Sequence, residues 1–241
     1  MSDYAAIRDN IIRKPAHSNN LYQRVFVVSA YGGITDKLLE HKKNGLPGIY
    51  GLFSSSMEDN SWQSAFLALR QELHSINISL FPDSALLNKA NDFINERLDD
   101  AQKCLQDLQS LCTHGHFALD SHLATVREML ASIGEAHSAW NTATLLQNDG
   151  VNARFVDLTG WRTDKHLPLD DRIRVAFSGI DLSKEMPIVT GYAHSEDGLM
   201  SSFDRGYSEM TFSRLAVITS ASEAVIHKEL HLKPLLQQIW R

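Results

Sequence analysis

A short run of β-branched residues that ends in two glycines constrains the fold of this chain more than any other feature. Residues 25–30 read VFVVSA, which is typical of a buried strand. Tyr31, Gly32 and Gly33 close this strand, and a helical pattern follows from Thr35 to Lys43. A strand, a glycine turn and a helix in this order indicate an α/β fold.

Strand and helix patterns alternate again after residue 120. Gly134 is expected to end one helix and Ser208 to cap another. Residues 44–60, rich in Gly, Ser and Asn, are expected to form a loop, and residues 173–177 fit either a helix or a strand. The sum predicts a three-layer α/β/α sandwich around a mostly parallel central sheet. The predicted elements are helices at 123–133, 136–148 and 209–220 and strands at 153–158, 187–190 and 224–227.

A helical insertion is predicted at about residues 61–120. Within it, apolar residues recur every three or four positions, which places them on one face of a helix. This stripe predicts a helical hairpin packed on itself or on the main body, rather than a cofactor site. Its members are Ile94, Leu98, Ala101, Leu105, Leu108 and Cys112.

Composition narrows the classes of function and the compartment. The chain has 241 residues, of which 43% are hydrophobic, as expected of one globular domain. Its 23 basic and 29 acidic residues give a net charge of -6, which argues against nonspecific nucleic-acid binding. No run of about 20 apolar residues predicts a membrane span, and the N-terminal residues lack an apolar signal core. Two cysteines are too few for a disulfide scaffold, so a cytoplasmic protein is predicted.

Two stretches could bind a ligand at the end of a strand or the start of a helix. The glycines after the first strand let the backbone approach a ligand, and the helix that follows offers N–H groups to an anion; many ordinary turns also contain two glycines. Glu135, in the segment 133–138, could receive the amino group of a substrate or could be a simple charge at a helix start. His137 fits a packed or surface histidine better than a catalytic base.

Two further stretches carry polar or metal-ligating residues. Residues 198–209, GLMSSFDRGYSE, offer hydroxyls, a glycine and a charged pair before a helix, as phosphoryl transfer requires; they could also be a polar loop with a capping serine. Residues 112–116, CTHGH, resemble half of a zinc site, but no second pair of ligands has suitable spacing. No metal ligands are therefore assigned.

Four stretches, in this order along the chain, resemble the sequence motifs of a known family. VFVVSAYGGITDKLL is similar to VVVSAxGGxTxxL, and IGEAHSAWNTATLLQNDGVNARFVD is similar to xGExxSxxxxAxxLxxxGxxAxxxD. PIVTGYAHSEDGLMSSFDRGYSEMTFSRLA resembles PVxxGFxxxxxGxxTTLGRGGSDYTAxxxA, and AVIHKE stands where a strand ending in WTD is expected. These are motifs of the aspartate kinases of the amino acid kinase superfamily. The wording FDRGYSEMTFSR resembles the subgroup associated with ectoine biosynthesis.

This resemblance implies roles for individual residues. Ser29 would lie near the substrate and the transferring phosphate, and Gly32 and Gly33 would form the turn beneath it. Glu135 would bind the α-amino group of aspartate, and Arg172, by a looser alignment, its α-carboxylate. The resemblance implies catalytic roles for Ser29, Arg205 and Glu209. The residues implied near the nucleotide are Ser201, Ser202, Arg205, Gly206, Ser208, Lys228 and Glu229.

Two departures from the family pattern lie at the ends. The family begins with a strand and K-x-G-G-T-S, whereas residues 1–3 stand where that motif should have ended. After residue 231 the tail KPLLQQIWR resembles nothing in the family, and no regulatory ACT domain is recognised. The expected organisation is a partial catalytic domain at 1–231 and a divergent tail at 232–241, which would make the chain a poor kinase.

The resemblance implies transfer of the γ-phosphate of ATP to the side-chain carboxylate of L-aspartate, with Mg²⁺ as the metal. Two alternatives stay open: another amino acid kinase of the same fold, and a non-catalytic fragment that binds aspartate or nucleotide. The expected partners are L-aspartate and ATP, without nucleic acid or membrane. The sequence leaves the oligomeric state open, with a homodimer as a candidate.

Overall fold

Three parallel strands form a sheet in the described part of the chain. The computed structural model describes residues 4–13, 21–55, 60–163, 166–196, 198 and 206–226. The strands are β1 (Phe26–Val28), β2 (Ala153–Val156) and β3 (Met186–Thr190). Their order across the sheet is β1-β3-β2, so β3, the last in sequence, lies in the middle. Parallel pairing of strands so distant in sequence confirms the predicted α/β class.

Eight α-helices occur among the described residues. The first runs into a π-helical turn at Arg8–Ile12, and a 3₁₀ turn lies at Leu119–Ser121. No helix of the described part is long and apolar enough to cross a membrane. The helices are α1 (Tyr4–Ile7), α2 (Ile34–Leu38), α3 (Ile49–Ser55), α4 (Ser61–Leu80), α5 (Ser84–Cys112), α6 (Leu123–Asn148), α7 (Leu169–Phe177) and α8 (Tyr207–Ile218).

The two faces of the sheet are covered by different helices. Ile188 of β3 belongs to a core cluster with Ala139, Ala143 and Leu146 of α6. Val189, the next residue, belongs to the larger cluster, which includes residues of α7 and α8. Because successive side chains of a strand point to opposite faces, α6 covers one face and α7 and α8 the other. This arrangement is the predicted α/β/α sandwich.

The predicted helical insertion is an antiparallel pair formed by α4 and α5. Asp83 begins α5 by accepting a hydrogen bond from the Leu86 N–H at 2.9 Å, which satisfies one of the unpaired donors of a helix start. The apolar stripe of α5 packs inward: its first four members are buried, and Leu108 is partly buried against the same core. The pattern therefore located the buried face of this helix correctly.

One glycine does not end the helix that it was predicted to end. Residues 123–148 form the single helix α6, with Gly134 in its interior. An added Cβ at Gly134 would lie 2.9 Å from Ala30 Cβ and 3.0 Å from Ile34 Cγ2. The glycine is accommodated because α6 packs tightly against the segment after β1, so close packing outweighs its weak helix propensity.

Other local predictions also needed correction. Residues 44–60 are not all loop, because Ile49 and Phe53 bury one side of α3 in the core. Residues 224–226 do not form a strand, and residue 227 and the tail 232–241 lie outside the described residues. The ambiguous segment 173–177 is the second half of α7. Ser208 does not cap α8, because the N-cap residue is Gly206 and the Ser208 side chain bonds elsewhere.

Candidate active site

The candidate site lies where the carboxyl ends of β1 and β3 meet. Ser29 follows β1 directly, and Gly191 follows β3. The Gly191 N–H donates a hydrogen bond to the Val28 carbonyl oxygen at 3.0 Å, which joins the two strand ends. In open α/β sheets, ligands bind at this edge of the strands.

Three side chains form a hydrogen-bonded chain from the surface to a buried carboxyl group. Ser29 Oγ donates to Ser208 Oγ at 3.3 Å, and Ser208 Oγ donates to Glu135 Oε1 at 2.7 Å. Ser29 is exposed and Ser208 half-buried, whereas Glu135 is only 2% exposed. The structure thus brings together predicted residues from β1, α6 and α8.

The backbone of Gly191 passes against this carboxyl group. An added Cβ at Gly191 would lie 2.7 Å from Ser208 Oγ and 2.8 Å from Glu135 Oε2. Any larger residue would push these two side chains apart. Gly191 is thus a site residue that the sequence analysis did not assign, although its place directly after a predicted strand was a usable signal.

Burial gives the carboxyl group of Glu135 an unusually high pKa. Loss of solvent is the largest effect on the Glu135 carboxyl group and raises its pKa. The charge of Glu209 also raises this pKa, while hydrogen bonds from Ser208 and from the backbone N–H groups of Tyr192 and Ala30 lower it, and the net pKa is about 8. Oε2 has no hydrogen-bond partner of normal geometry among the described residues. The carboxyl group can therefore hold a proton at neutral pH and accept a buried cation in its place.

The turn after β1 is shaped by a glycine and held by α6. Gly33 has a φ of 79° and a ψ of -11°, and the Ile34 N–H donates to the Tyr31 carbonyl oxygen at 3.1 Å. These values are those of a type II turn with glycine at its third position. Ser138 Oγ of α6 donates to the Ser29 carbonyl oxygen at 2.7 Å and fixes the residue that opens the hydrogen-bonded chain.

Arg172 lies on α7, outside the hydrogen-bonded chain that leads from Ser29 to Glu135. It is 8% exposed on α7, and its Nε donates to the His194 carbonyl oxygen at 2.5 Å. It lines a cavity of about 300 Å³ together with Asp157 and Trp161. The pairing of Arg172 with Glu135 around one substrate stays a prediction.

Similarity to known proteins identifies the family of this chain. The sequence profile described as the amino acid kinase family matches residues 5–231. The chain belongs to the amino acid kinase family. It is 50% identical over 232 residues to the aspartate kinase Ask_Ect of Stutzerimonas stutzeri (strain A1501). That match covers 96% of this chain and 49% of the relative, so this kinase-family chain spans about half the length of the relative. No solved structure matches.

The start of α8 contributes the remaining described residues of this kinase-family site. Gly206, with a φ of 103°, precedes the helix, and Glu209 lies in its first turn. The carboxylate of Glu209 interacts electrostatically with Glu135. Five other predicted residues lie outside the described part of the chain: Ser201, Ser202, Arg205, Lys228 and Glu229.

Metal-ligating side chains do not cluster in the described residues, where no group of three or more could hold an ion. Cys112 ends α5, and the turn that follows contains His114. A Mg²⁺ ion that binds with nucleotide needs only one or two carboxylates, because phosphate oxygens and water supply the other ligands.

Sequence reasoning also missed Ser138, Tyr31 and Asn141. Ser138 lies inside the matched wording GExxS, three residues after Glu135, and this spacing places the two near each other on α6. Tyr31 and Asn141 carried no such signal, because their contact joins residues 110 positions apart.

Proposed function

We propose that this chain carries the aspartate-binding part of an aspartate kinase. The reaction transfers the γ-phosphate of ATP to the side-chain carboxylate of L-aspartate and gives 4-phospho-L-aspartate. One observation carries the proposal: a buried carboxyl group lies at the carboxyl ends of the strands in a member of the amino acid kinase family, and one of its oxygens has no hydrogen-bond partner of normal geometry among the described residues. The 50% identity to an aspartate kinase supports the choice of acceptor.

In this proposal Glu135 binds the α-amino group of the substrate. The ammonium group replaces the proton that Glu135 holds without ligand, so that the buried site stays close to neutral. Arg172 is proposed for the α-carboxylate, because a guanidinium fork suits that group. Ser29, with Gly32 and Gly33, would position the carboxylate that is phosphorylated.

The phosphates of ATP are proposed to lie at the start of α8. The N–H groups of the first turn of this 12-residue helix suit an anion. Ser29, Arg205 and Glu209 are proposed to act on the transferring phosphate. The other residues proposed to bind nucleotide are Ser201, Ser202, Gly206, Ser208, Lys228 and Glu229.

The wider setting is also part of the proposal. Mg²⁺ would neutralise the phosphates, with Glu209 as a candidate ligand. The product would enter the pathway of the aspartate-derived amino acids, and the wording FDRGYSEMTFSR supports the branch to ectoine. The protein would act in the cytoplasm, and a homodimer is a candidate assembly.

Titration calorimetry of L-aspartate into the purified 241-residue chain tests the role of Glu135. At pH 6.5, in two buffers with different ionisation enthalpies, binding should release close to one proton, because Glu135 starts protonated and ends ionised. Glu135→Gln should weaken binding by about 30–150-fold, since a charge-assisted hydrogen bond contributes about 2–3 kcal/mol, and should abolish proton release.

Succinate provides the matched ligand, because it keeps both carboxylates and lacks the amino group. Succinate that bound as tightly as L-aspartate would contradict the role of Glu135. Turnover is tested in a chimaera in which this chain replaces the matching segment of the Stutzerimonas stutzeri relative. ADP release that depends on L-aspartate supports a kinase, whereas binding without turnover favours the non-catalytic alternative.

A further inference from the structure

Three consecutive residues after β1 are each held by one face of α6. Gly134 lets the helix approach Ala30, Ser138 donates to the Ser29 carbonyl oxygen, and Asn141 Nδ2 donates to the Tyr31 hydroxyl oxygen at 3.2 Å. Positions 134, 138 and 141 are four and three residues apart, so they lie on the same side of a helix. The same turns of α6 that carry Glu135 therefore also fix the segment that carries Ser29.

The last of these contacts continues into the helical hairpin. Asn77 of α4 is fully buried, and its Oδ1 accepts hydrogen bonds from Asn141 Nδ2 at 2.9 Å and from His137 Nε2 at 2.7 Å. Asn77 Nδ2 in turn donates to Asn91 Oδ1 of α5 at 3.0 Å. A continuous path of hydrogen bonds thus joins both helices of the hairpin to Tyr31.

The chemistry of His137 fits a fixed structural donor. Asn77 Oδ1 can only accept, so Nε2 of His137 carries the proton in their hydrogen bond. Burial, and to a smaller extent the charge of His74, lowers the pKa of His137 to about 3. The imidazole is therefore neutral throughout the physiological range and does not compete as a base. Its ring packs edge-on against Tyr31, with the two centroids 5.4 Å apart.

Tyr31 is placed so that its side chain can restrain the glycine turn. It is the first residue of the type II turn and follows Ser29 by two positions. Its side chain is buried, although the two glycines after it are exposed. The Tyr31 hydroxyl group is held by Asn141 of α6, and Asn77 of α4 holds Asn141 in turn, so the two helices together restrain the turn.

We propose that Tyr31 is a positioning residue of the substrate site and that Asn77 extends its restraint into the helical hairpin. The effect on aspartate rests on the proposed function, whereas the effect on the turn does not. The hairpin is then a working part of the site, because a change at Asn77, in α4, alters the placement of Ser29.

Two variants of the 241-residue chain test this inference. Tyr31→Phe removes only the hydroxyl group and keeps the ring packed, and Asn77→Ala removes the junction in the hairpin. Tyr22→Phe is the matched control, because the Tyr22 hydroxyl accepts one hydrogen bond of 3.2 Å from Asn152 N, just before β2. That contact lies at the amino ends of the strands, whereas Ser29 lies at the carboxyl end of β1.

Hydrogen–deuterium exchange provides the first readout. Both variants should speed exchange of the Ile34 amide, which bonds to Tyr31 in the turn, by about tenfold or more, while peptides from β3 keep wild-type rates. The control should leave both regions unchanged. Wild-type exchange at Ile34 in Tyr31→Phe would overturn the proposal, even if Asn77→Ala failed to fold.

Calorimetry with L-aspartate provides the second readout. Tyr31→Phe should weaken L-aspartate binding by about tenfold at a temperature far below its melting point, where a loss of stability alone would not change affinity. Wild-type affinity in this variant would overturn the effect on the substrate site. If the wild-type chain itself did not bind L-aspartate, the proposed function would fail, and the exchange rates would still decide the role of Tyr31.

Discussion

At the scale of single residues, two acidic side chains of α6 differ in their hydrogen bonding. Glu128 and Glu135 are seven residues apart and both buried. The carboxylate of Glu128 accepts a hydrogen bond from the Tyr192 hydroxyl group. Glu135 accepts one from Ser208 at Oε1, whereas its Oε2 has no hydrogen-bond partner of normal geometry among the described residues. Glu128 is therefore suited to hold the segment after β3, and Glu135 to receive a ligand.

The raised pKa of Glu135 predicts how stability depends on pH without ligand. Its pKa is about 8 in the folded chain and 4.5 in the unfolded chain, so between these values the folded state binds the extra proton. The contribution of Glu135 to stability is therefore complete below pH 4.5 and is lost as pH rises through 8. Urea unfolding should show a free energy that falls between pH 5.5 and 7.5, by at most ~1.4 kcal/mol per pH unit.

Glu135→Gln should flatten this dependence, because the amide stays neutral at every pH. Glu72→Gln, at a half-exposed carboxylate of α4, is the control and should keep the wild-type slope. If Glu135→Gln and the wild type had the same slope, Glu135 would not be the group that titrates.

Ser208 shows what the sequence could predict at this scale. The matched motif implied a place for Ser208 near the nucleotide, which stays a prediction, whereas its predicted capping role was wrong. Its hydroxyl group donates to Glu135 because the start of α8 lies against Gly191, where a buried acceptor is within reach. Such a contact depends on how two elements pack, which local sequence patterns do not encode.

At the scale of elements, Gly134 decides how closely α6 approaches the turn after β1. Gly134→Ala improves helix propensity by about 1 kcal/mol but places a methyl group against Ala30 and Ile34. Overpacking of this kind costs ~1–3 kcal/mol, so the variant should be less stable in urea unfolding by up to ~2 kcal/mol. The control is Gly179→Ala, where no atom lies within 4 Å of the added Cβ. A stabilised Gly134→Ala would mean that α6 can move away at no cost.

Element predictions succeeded where a pattern was long and failed where packing decided. The stripe of α5 spans five turns, and its buried face was predicted correctly. By contrast, α3 has only seven residues in a segment rich in glycine and serine, and its burial of Ile49 and Phe53 comes from neighbouring helices. The division of α6 into two helices was wrong because local propensity cannot reveal a close neighbour.

At the scale of the whole molecule, Arg97 joins the helical hairpin to the sheet. This buried side chain of α5 forms an ion pair with Asp157, which follows β2, and bonds to Thr159 Oγ1 at 3.3 Å. Its guanidinium carbon lies 4.7 Å from the ring centroid of Phe93 and 5.1 Å from that of Trp161. Planar stacking and paired hydrogen bonds suit arginine in particular.

A double-mutant cycle measures this connection. Arg97→Met should lower the free energy of unfolding by ~2–3 kcal/mol, somewhat less than for a fully buried pair, because the side chain of Asp157 is 25% exposed. Asp157→Asn and the double variant complete the cycle, and their coupling energy should be ~1–3 kcal/mol. Additive effects would show that the two residues act independently. The exposed pair Lys103–Asp107 is the control cycle, and its coupling should be much smaller because solvent screens the two charges.

The strand order also determines how long β1 lacks its partner strand during synthesis on the ribosome. Phe26 pairs with Ile188, 162 positions later, and β3 is the only partner of β1 among the described strands. At ~5–20 residues per second, translation leaves β1 without its mate for roughly 8–32 s. The α4–α5 hairpin can form in that interval, since its contacts are local. During that interval the nascent chain carries Phe26–Val28 without this partner strand, and we expect a chaperone that binds exposed apolar segments to protect them.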